Sequence, residues 1–171
     1  MSTDAVHDLE TLRDWLRYAT SQFRRAKLVY GHGTATALDE AAFLILATLD
    51  LPLDQLDPWL DARLTPPERD AIAEIIQRRI ATRKPAPYLV NQAWIRSHHF
   101  YVDERVIVPR SYIGELLDGG LDSVLVDAGA ITTALDLCTG SGCLAILMAH
   151  AQPGVEVLAR RLQQRCVARH R

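Results

Sequence analysis

Between Leu135 and Ala145 the chain reads Leu135-Asp136-Leu137-Cys138-Thr139-Gly140-Ser141-Gly142-Cys143-Leu144-Ala145, a carboxylate, two closely spaced glycines and an apolar run. Glycines between a strand and a helix let backbone approach a ligand without a Cβ in the way. The helix that follows adds free N–H groups and the positive end of its dipole. The spacing Gly140-x-Gly142-x-x-Ala145 also meets the loose dinucleotide fingerprint, so a nicotinamide-dependent oxidoreductase is one reading. No Gly-Lys-Ser/Thr follows, which excludes a P-loop. The bland alternative is structural: Asp136 caps the turn and the glycines satisfy its geometry.

Asp136, four residues before Gly140, resembles the first motif of the class I S-adenosylmethionine-dependent methyltransferases, where an acid lies beneath the methionine end of the cofactor. A second string narrows this: Phe100-Tyr101-Val102-Asp103-Glu104-Arg105-Val106-Ile107-Val108-Pro109-Arg110-Ser111-Tyr112-Ile113-Gly114-Glu115 precedes the glycine turn by some twenty residues. Together they resemble the glutamine methyltransferases that modify translation proteins. Cys138, the run Arg110 to Glu115 and the stretch Tyr30-Gly31-His32-Gly33-Thr34 are similar to the subgroup acting on ribosomal protein L-three of the large subunit, over residues 1 to about 159. The resemblance implies that Asp136, Cys138, Thr139, Gly140, Ser141 and Gly142 border S-adenosylmethionine. It implies that Pro109 and Arg110 roof the active site, although a supporting salt bridge is an equal reading for Arg110. The ribosomal protein would be the partner, with neither a membrane nor direct nucleic-acid binding expected. A non-catalytic binding module is the alternative in a different class.

Against the family pattern two things are missing. The second strand of such enzymes ends in an acid that holds the cofactor ribose, but here Glu156 falls too early and Arg160 and Arg161 occupy the place. A guanidinium cannot accept the ribose hydroxyl protons, so cofactor binding is expected to be weak or lost. The Asn-Pro-Pro-Tyr segment that holds the glutamine amide in this family is absent from the 171 residues, leaving no catalytic residue to assign and an expectation of inactivity. Charge changes at the same place: residues 1–159 carry 14 basic and 21 acidic residues, a net of −7, whereas residues 160–171 carry five Arg and no acid. Dropping one base from codons allowed for Arg160 to Cys166 permits Val-Asp-(Phe or Ser)-Ser-Ser-Asp-Ala, similar to the family's continuation. The tail is therefore expected to be out of frame, and the chain truncated; a true basic tail, able to contact phosphates, is the competing reading.

These residues need elements to hold them. At 171 residues and 49% hydrophobic composition the chain suits a packed fold, and no run approaches the roughly 20 apolar residues of a membrane span. The N-terminus lacks a secretory pattern, so a cytoplasmic location is expected. Cys138, Cys143 and Cys166 show no Cys-x-x-Cys spacing and read as reduced thiols; adjacent His98 and His99 point to opposite faces of a strand, so no metal is expected.

The fold class expected is α+β: a helical bundle over 1–85, a β-hairpin linker over 86–110, the start of a methyltransferase domain over 111–159, and the tail 160–171. Val6, Leu9, Leu12, Leu16, Ala19 and Phe23 have helical spacing, with an end expected near Gly31. Asp39 to Leu49 forms a second, apolar helix, and Thr65 with Glu68 a capping box opening a third that Pro85 stops. Short strands are expected at Tyr88–Val90, Trp94–Ile95, Phe100–Val102 and Val106–Val108, and a helix over Ile113–Leu125 that Gly119 and Gly120 interrupt. Trp94, Phe100 and Tyr101 read as interdomain core. One β-α-β unit then follows: a strand at Thr133–Leu137, a helix from Gly142 to Ala149 and a strand at Val155–Ala159.

Overall fold

The computed structural model describes residues 8–31, 33–95, 97–119, 121, 125 and 127–161; Val6, His32 and the tail 162–171 with Cys166 lie outside the described residues. The chain forms two compact units, Met1–Gln92 and Ala93–Arg171.

The first unit is a bundle of helices. Helix α1, Leu12–Arg25, opens at a capping box in which Thr11 N–H donates to Asp14 at 3.0 Å and Asp14 N–H to Thr11 Oγ1 at 3.2 Å. Leu12, Leu16, Ala19 and Phe23 of the expected stripe are buried, while Leu9 packs ahead of the helix. The helix stops well short of Gly31, because Lys27 takes the left-handed conformation (φ 51°) and turns the chain. Helix α2, Ala37–Thr48, begins earlier than expected, since Asp39 is the third residue of a second capping box led by Thr36.

Helix α3, Pro66–Thr82, carries the expected Thr65–Glu68 pair, in which Thr65 N–H and Oγ1–H donate to Glu68 Oε2 at 2.7 and 2.8 Å. Arg83 (φ 56°) ends it. The strand expected at Tyr88–Val90 is instead a short helix α4, Ala86–Val90: Pro85 leads in extended, Pro87 sits in the first turn where its missing N–H costs nothing, and Ala86, Pro87 and Leu89 are buried. Trp15, Phe23, Leu44, Ile45, Ile72 and Ile76 form the centre of the bundle.

Inside that centre is a charge pair that the hydrophobic pattern conceals. Glu40 on α2 and Arg79 on α3 are almost wholly buried and meet at 2.8 Å. Arg79 Nη2 also donates to the Val29 carbonyl at 3.1 Å, and Thr34 Oγ1 donates to Glu40 at 3.2 Å. The pair thus ties down Val29 and Thr34.

In the second unit, β1 (Gln92–Ile95) and β2 (His98–Tyr101) make a hairpin. Phe100 is buried, but Trp94 and Tyr101 are 45% and 64% exposed, so these two are not core residues. Trp94 instead lies against His99 on one side of the hairpin, and His98 against His150 on the other. No strand forms at Val106–Val108, because the bonds from Arg105 to Asp103 and from Val106 N–H to the Asp103 carbonyl bend the chain there.

Helix α5, Tyr112–Asp118, starts at Ser111 and ends at Gly119, so the glycine limits the expected longer helix. Strand β3, Thr133–Leu137, helix α6, Cys143–Ala151, and strand β4, Glu156–Arg160, complete a parallel β-α-β unit. Ladder partners run from Thr133 opposite Glu156 to Leu137 opposite Arg160. The architecture is α+β: a helical bundle, a hairpin and an incomplete Rossmann-like unit.

The two-stranded sheet is covered on one side only. Ala134, Asp136 and Val157 are half-buried, whereas Leu135, Leu137 and Leu158 on the other face are more than half exposed. Ile95, Phe100, Leu117, Leu121, Cys143 and Leu147 supply the unit's small core.

Candidate functional site

β3 ends at Leu137 and α6 begins at Cys143, and the intervening turn is built from left-handed residues: Cys138 (φ 65°), Gly140 (φ 60°) and Gly142 (φ 83°). An added Cβ at Gly140 or Gly142 would meet nothing within 4 Å, so both face open space and are glycine for conformational reasons. Cys138 carries a side chain in that same conformation, exposed to solvent.

Asp136 braces the turn from beneath. Its Oδ2 accepts from Thr139 Oγ1 at 2.5 Å and from the Ala145 N–H, in the first turn of α6, at 3.2 Å. A carboxylate at a helix N-terminus also meets the positive end of the dipole. Thr139 N–H donates to the Arg160 carbonyl at 3.1 Å, and Gly142 N–H to the Thr139 carbonyl at 2.9 Å. The turn is therefore pinned to β4 on one side and to Asp136 on the other.

Ser141 Oγ lies 2.9 Å from Cys143 Sγ. Burial pushes the Cys143 thiol pKa up, with the Ser141 contact acting the other way. Among the described residues the N–H groups of Gly140 and Ser141 have no protein acceptor.

Asp136, Cys138, Thr139, Gly140, Ser141 and Gly142 are thus contiguous in one braced turn. Pro109 and Arg110 belong to a separate segment just ahead of α5. Glu156 begins β4 and pairs with Thr133, while Arg160 stands at the strand's far end beside the turn. Arg161 donates to the Arg105 carbonyl at 3.2 Å. Sequence reasoning missed the brace from Asp136 to Ala145 N–H, although a carboxylate nine residues ahead of a residue in the first turn of a helix was there to read. Among the described residues no group of three or more His, Cys, Asp or Glu side chains gathers as a metal site, and no helix is long and apolar enough to cross a membrane.

The chain is similar to ribosomal protein uL3 glutamine methyltransferases. It is 55% identical over 155 residues to the one from Burkholderia pseudomallei, covering 91% of this chain and 50% of that protein. The corresponding figures are 52% over 157 residues for Bordetella pertussis, covering 92% and 53%, and 49% over 156 residues for Bradyrhizobium diazoefficiens, covering 88% and 49%. The chain spans about half the length of the curated relatives it matches. No protein-family model matches it.

Proposed function

We propose that this chain carries the cofactor turn of an S-adenosylmethionine-dependent methyltransferase whose acceptor is a glutamine of ribosomal protein uL3, working in the cytoplasm. The observation that carries this reading is the turn from Cys138 to Gly142, with its two open glycines and the Asp136 brace. Identity near one half to ribosomal protein uL3 glutamine methyltransferases supports it.

Such a turn fits the cofactor's methionine end: open space above Gly140 and Gly142 admits it closely, and the Gly140 and Ser141 N–H groups can donate to its carboxylate. When bound, S-adenosylmethionine would supply an electrophilic methyl: the N–C bond to the glutamine amide would form as the sulfur–methyl bond breaks, the neutral thioether S-adenosylhomocysteine would leave, and the nitrogen would lose one N–H proton. Amide nitrogen is a weak nucleophile, so the rate depends on holding it in line with the sulfur–methyl bond. Pro109 and Arg110 are proposed as the roof over that site, and the bundle Met1–Gln92 as the part that meets the protein substrate.

The 171 residues alone are proposed to lack turnover, since they contain no Asn-Pro-Pro-Tyr, and Arg160 replaces the acid that would hold the ribose. The basic run from Arg160 is proposed to be read out of frame, and resequencing the gene around codon 160 tests that. For the function itself, calorimetry with S-adenosylmethionine and with NAD is the decisive experiment. Weak, saturable binding of the former alone is expected, with no methyl transfer to unmethylated uL3. Preference for NAD overturns the reading, and appreciable turnover overturns the proposed inactivity.

A further inference from the structure

The chain is acidic over residues 1–159, yet two stretches contain no acid at all: Trp15 to Leu38 and Ile75 to Val102. The fold brings five of their basic residues to one end of the helical unit. Arg24 and Arg25 close α1, Lys27 makes the left-handed turn after it, and all three are exposed. Arg83, at the C-terminus of α3, crosses to them: its guanidinium donates to the Ala26 carbonyl at 2.9 Å and approaches that of Lys27 at 3.5 Å. Lys84 follows it, also exposed. Arg24 is close enough to Tyr30 for its charge to act on the phenol.

The helix dipole favours cations in the last turn and so accounts for the sign of Arg24 and Arg25. It does not account for Lys27, which lies beyond the helix end. Among the described residues Arg24, Arg25 and Lys27 have no ion-pair partner, whereas Arg13, Arg63 and Arg78 on the same unit are each paired. Near this cluster the Val29 carbonyl and the Thr34 hydroxyl are held by the buried Arg79–Glu40 pair. Exposed cations gathered where two helices end are suited to a polymer of closely spaced anions.

We propose that this end of the helical unit, centred on Arg24, Arg25, Lys27 and Arg83, binds the phosphate backbone of RNA. The arginine fork matches phosphate oxygens geometrically, which favours phosphate as the anion. The choice of RNA rests on the methyltransferase reading, because a ribosomal protein substrate is met in the company of RNA. It runs against the absence of direct nucleic-acid binding expected with the family resemblance: what decides is local charge, not the total.

The test is fluorescence anisotropy of the full 171-residue chain with a labelled 20-nucleotide single-stranded RNA, without cofactor or uL3. Four phosphate contacts predict a loss of affinity of about fifty-fold between 50 and 200 mM salt. The variant Arg24→Gln/Arg25→Gln/Lys27→Gln should bind at least about tenfold more weakly at 50 mM. Arg13→Gln, whose partner is Asp61, should leave binding unchanged. Circular dichroism confirms folding, and Arg24→Gln/Arg25→Gln, with an intermediate loss, replaces the triple variant should that one unfold. The proposal is overturned by no saturable binding, by binding insensitive to these substitutions but lost when Arg160, Arg161, Arg165, Arg169 and Arg171 become Gln, or by polyglutamate competing as well as RNA. Failure here with S-adenosylmethionine still bound removes this inference alone; RNA binding with no cofactor binding removes only the methyltransferase reading.

Discussion

Cys138 occupies a backbone position that glycine would fill without strain. Left-handed torsions cost a side-chain-bearing residue about 1–2 kcal/mol, while glycine costs about 0.5–1 kcal/mol in chain entropy, so Cys138→Gly should stabilise by up to about 1 kcal/mol in urea titrations. The two glycines predict the opposite sign: Gly140→Ala and Gly142→Ala each meet no clash, yet should destabilise by about 1 kcal/mol or more from torsion alone. The thiols differ as well. Cys143 is buried with its pKa raised, so at pH 8 peptide mapping after brief iodoacetamide treatment should find Cys138 alkylated well ahead of Cys143. Among the described residues Asp103 is the one carboxyl held far down, to about 2, chiefly by its hydrogen bond with the Arg105 side chain. Because its folded pKa lies below the unfolded value near 3.9, the small stability it lends is present above that value and fades as pH falls through about 2. Carbon-detected NMR should place its titration there, and Arg105→Gln should return it towards the ordinary range.

Among the elements, the helices were the more legible. Thr65 with Glu68, and the stripe through Leu12, Leu16, Ala19 and Phe23, work within a few residues of one another, so spacing alone reveals them. The strand β3 was equally clear, since a glycine turn bounds it. What local pattern could not tell was where a segment packs. Tyr88–Val90 has strand-forming residues but folds as α4 because Ala86, Pro87 and Leu89 are buried. Val106–Val108 has the composition of a strand and no partner in a ladder. Glu40 and Arg79 are thirty-nine residues apart, and nothing in either neighbourhood announces the other. Their pairing gives α2 and α3 a sharp prediction: Glu40→Ala should cost about 3–5 kcal/mol by stranding a buried guanidinium, whereas Glu40→Leu/Arg79→Met should be near neutral in the same unfolding measurement. For α5, a Cβ at Gly114 would come within 2.8 Å of Ile95 Cγ2 on β1, so Gly114→Ala should destabilise the second unit by about 1–3 kcal/mol.

On the scale of the molecule, the two units are unequally finished. The helical unit has a dense centre around Trp15 and Phe23, while the second leaves Leu135, Leu137 and Leu158 open to water on a sheet of two strands. A parallel sheet ordinarily needs cover on both faces. Hydrogen exchange should therefore show amides of α1, α2 and α3 outlasting those of β3 and β4. The candidate site was legible as a string because all six of its residues are consecutive or nearly so; Pro109 and Arg110, the proposed roof, are not contiguous with it and were named only by resemblance. One bond carries a consequence of another kind. Thr139 reaches β4 through the carbonyl of Arg160, a main-chain atom that every amino acid possesses. The turn is thus indifferent to which side chain stands at position 160: a substitution there alters what projects from the end of the strand, yet leaves in place the main-chain bond that pins the loop.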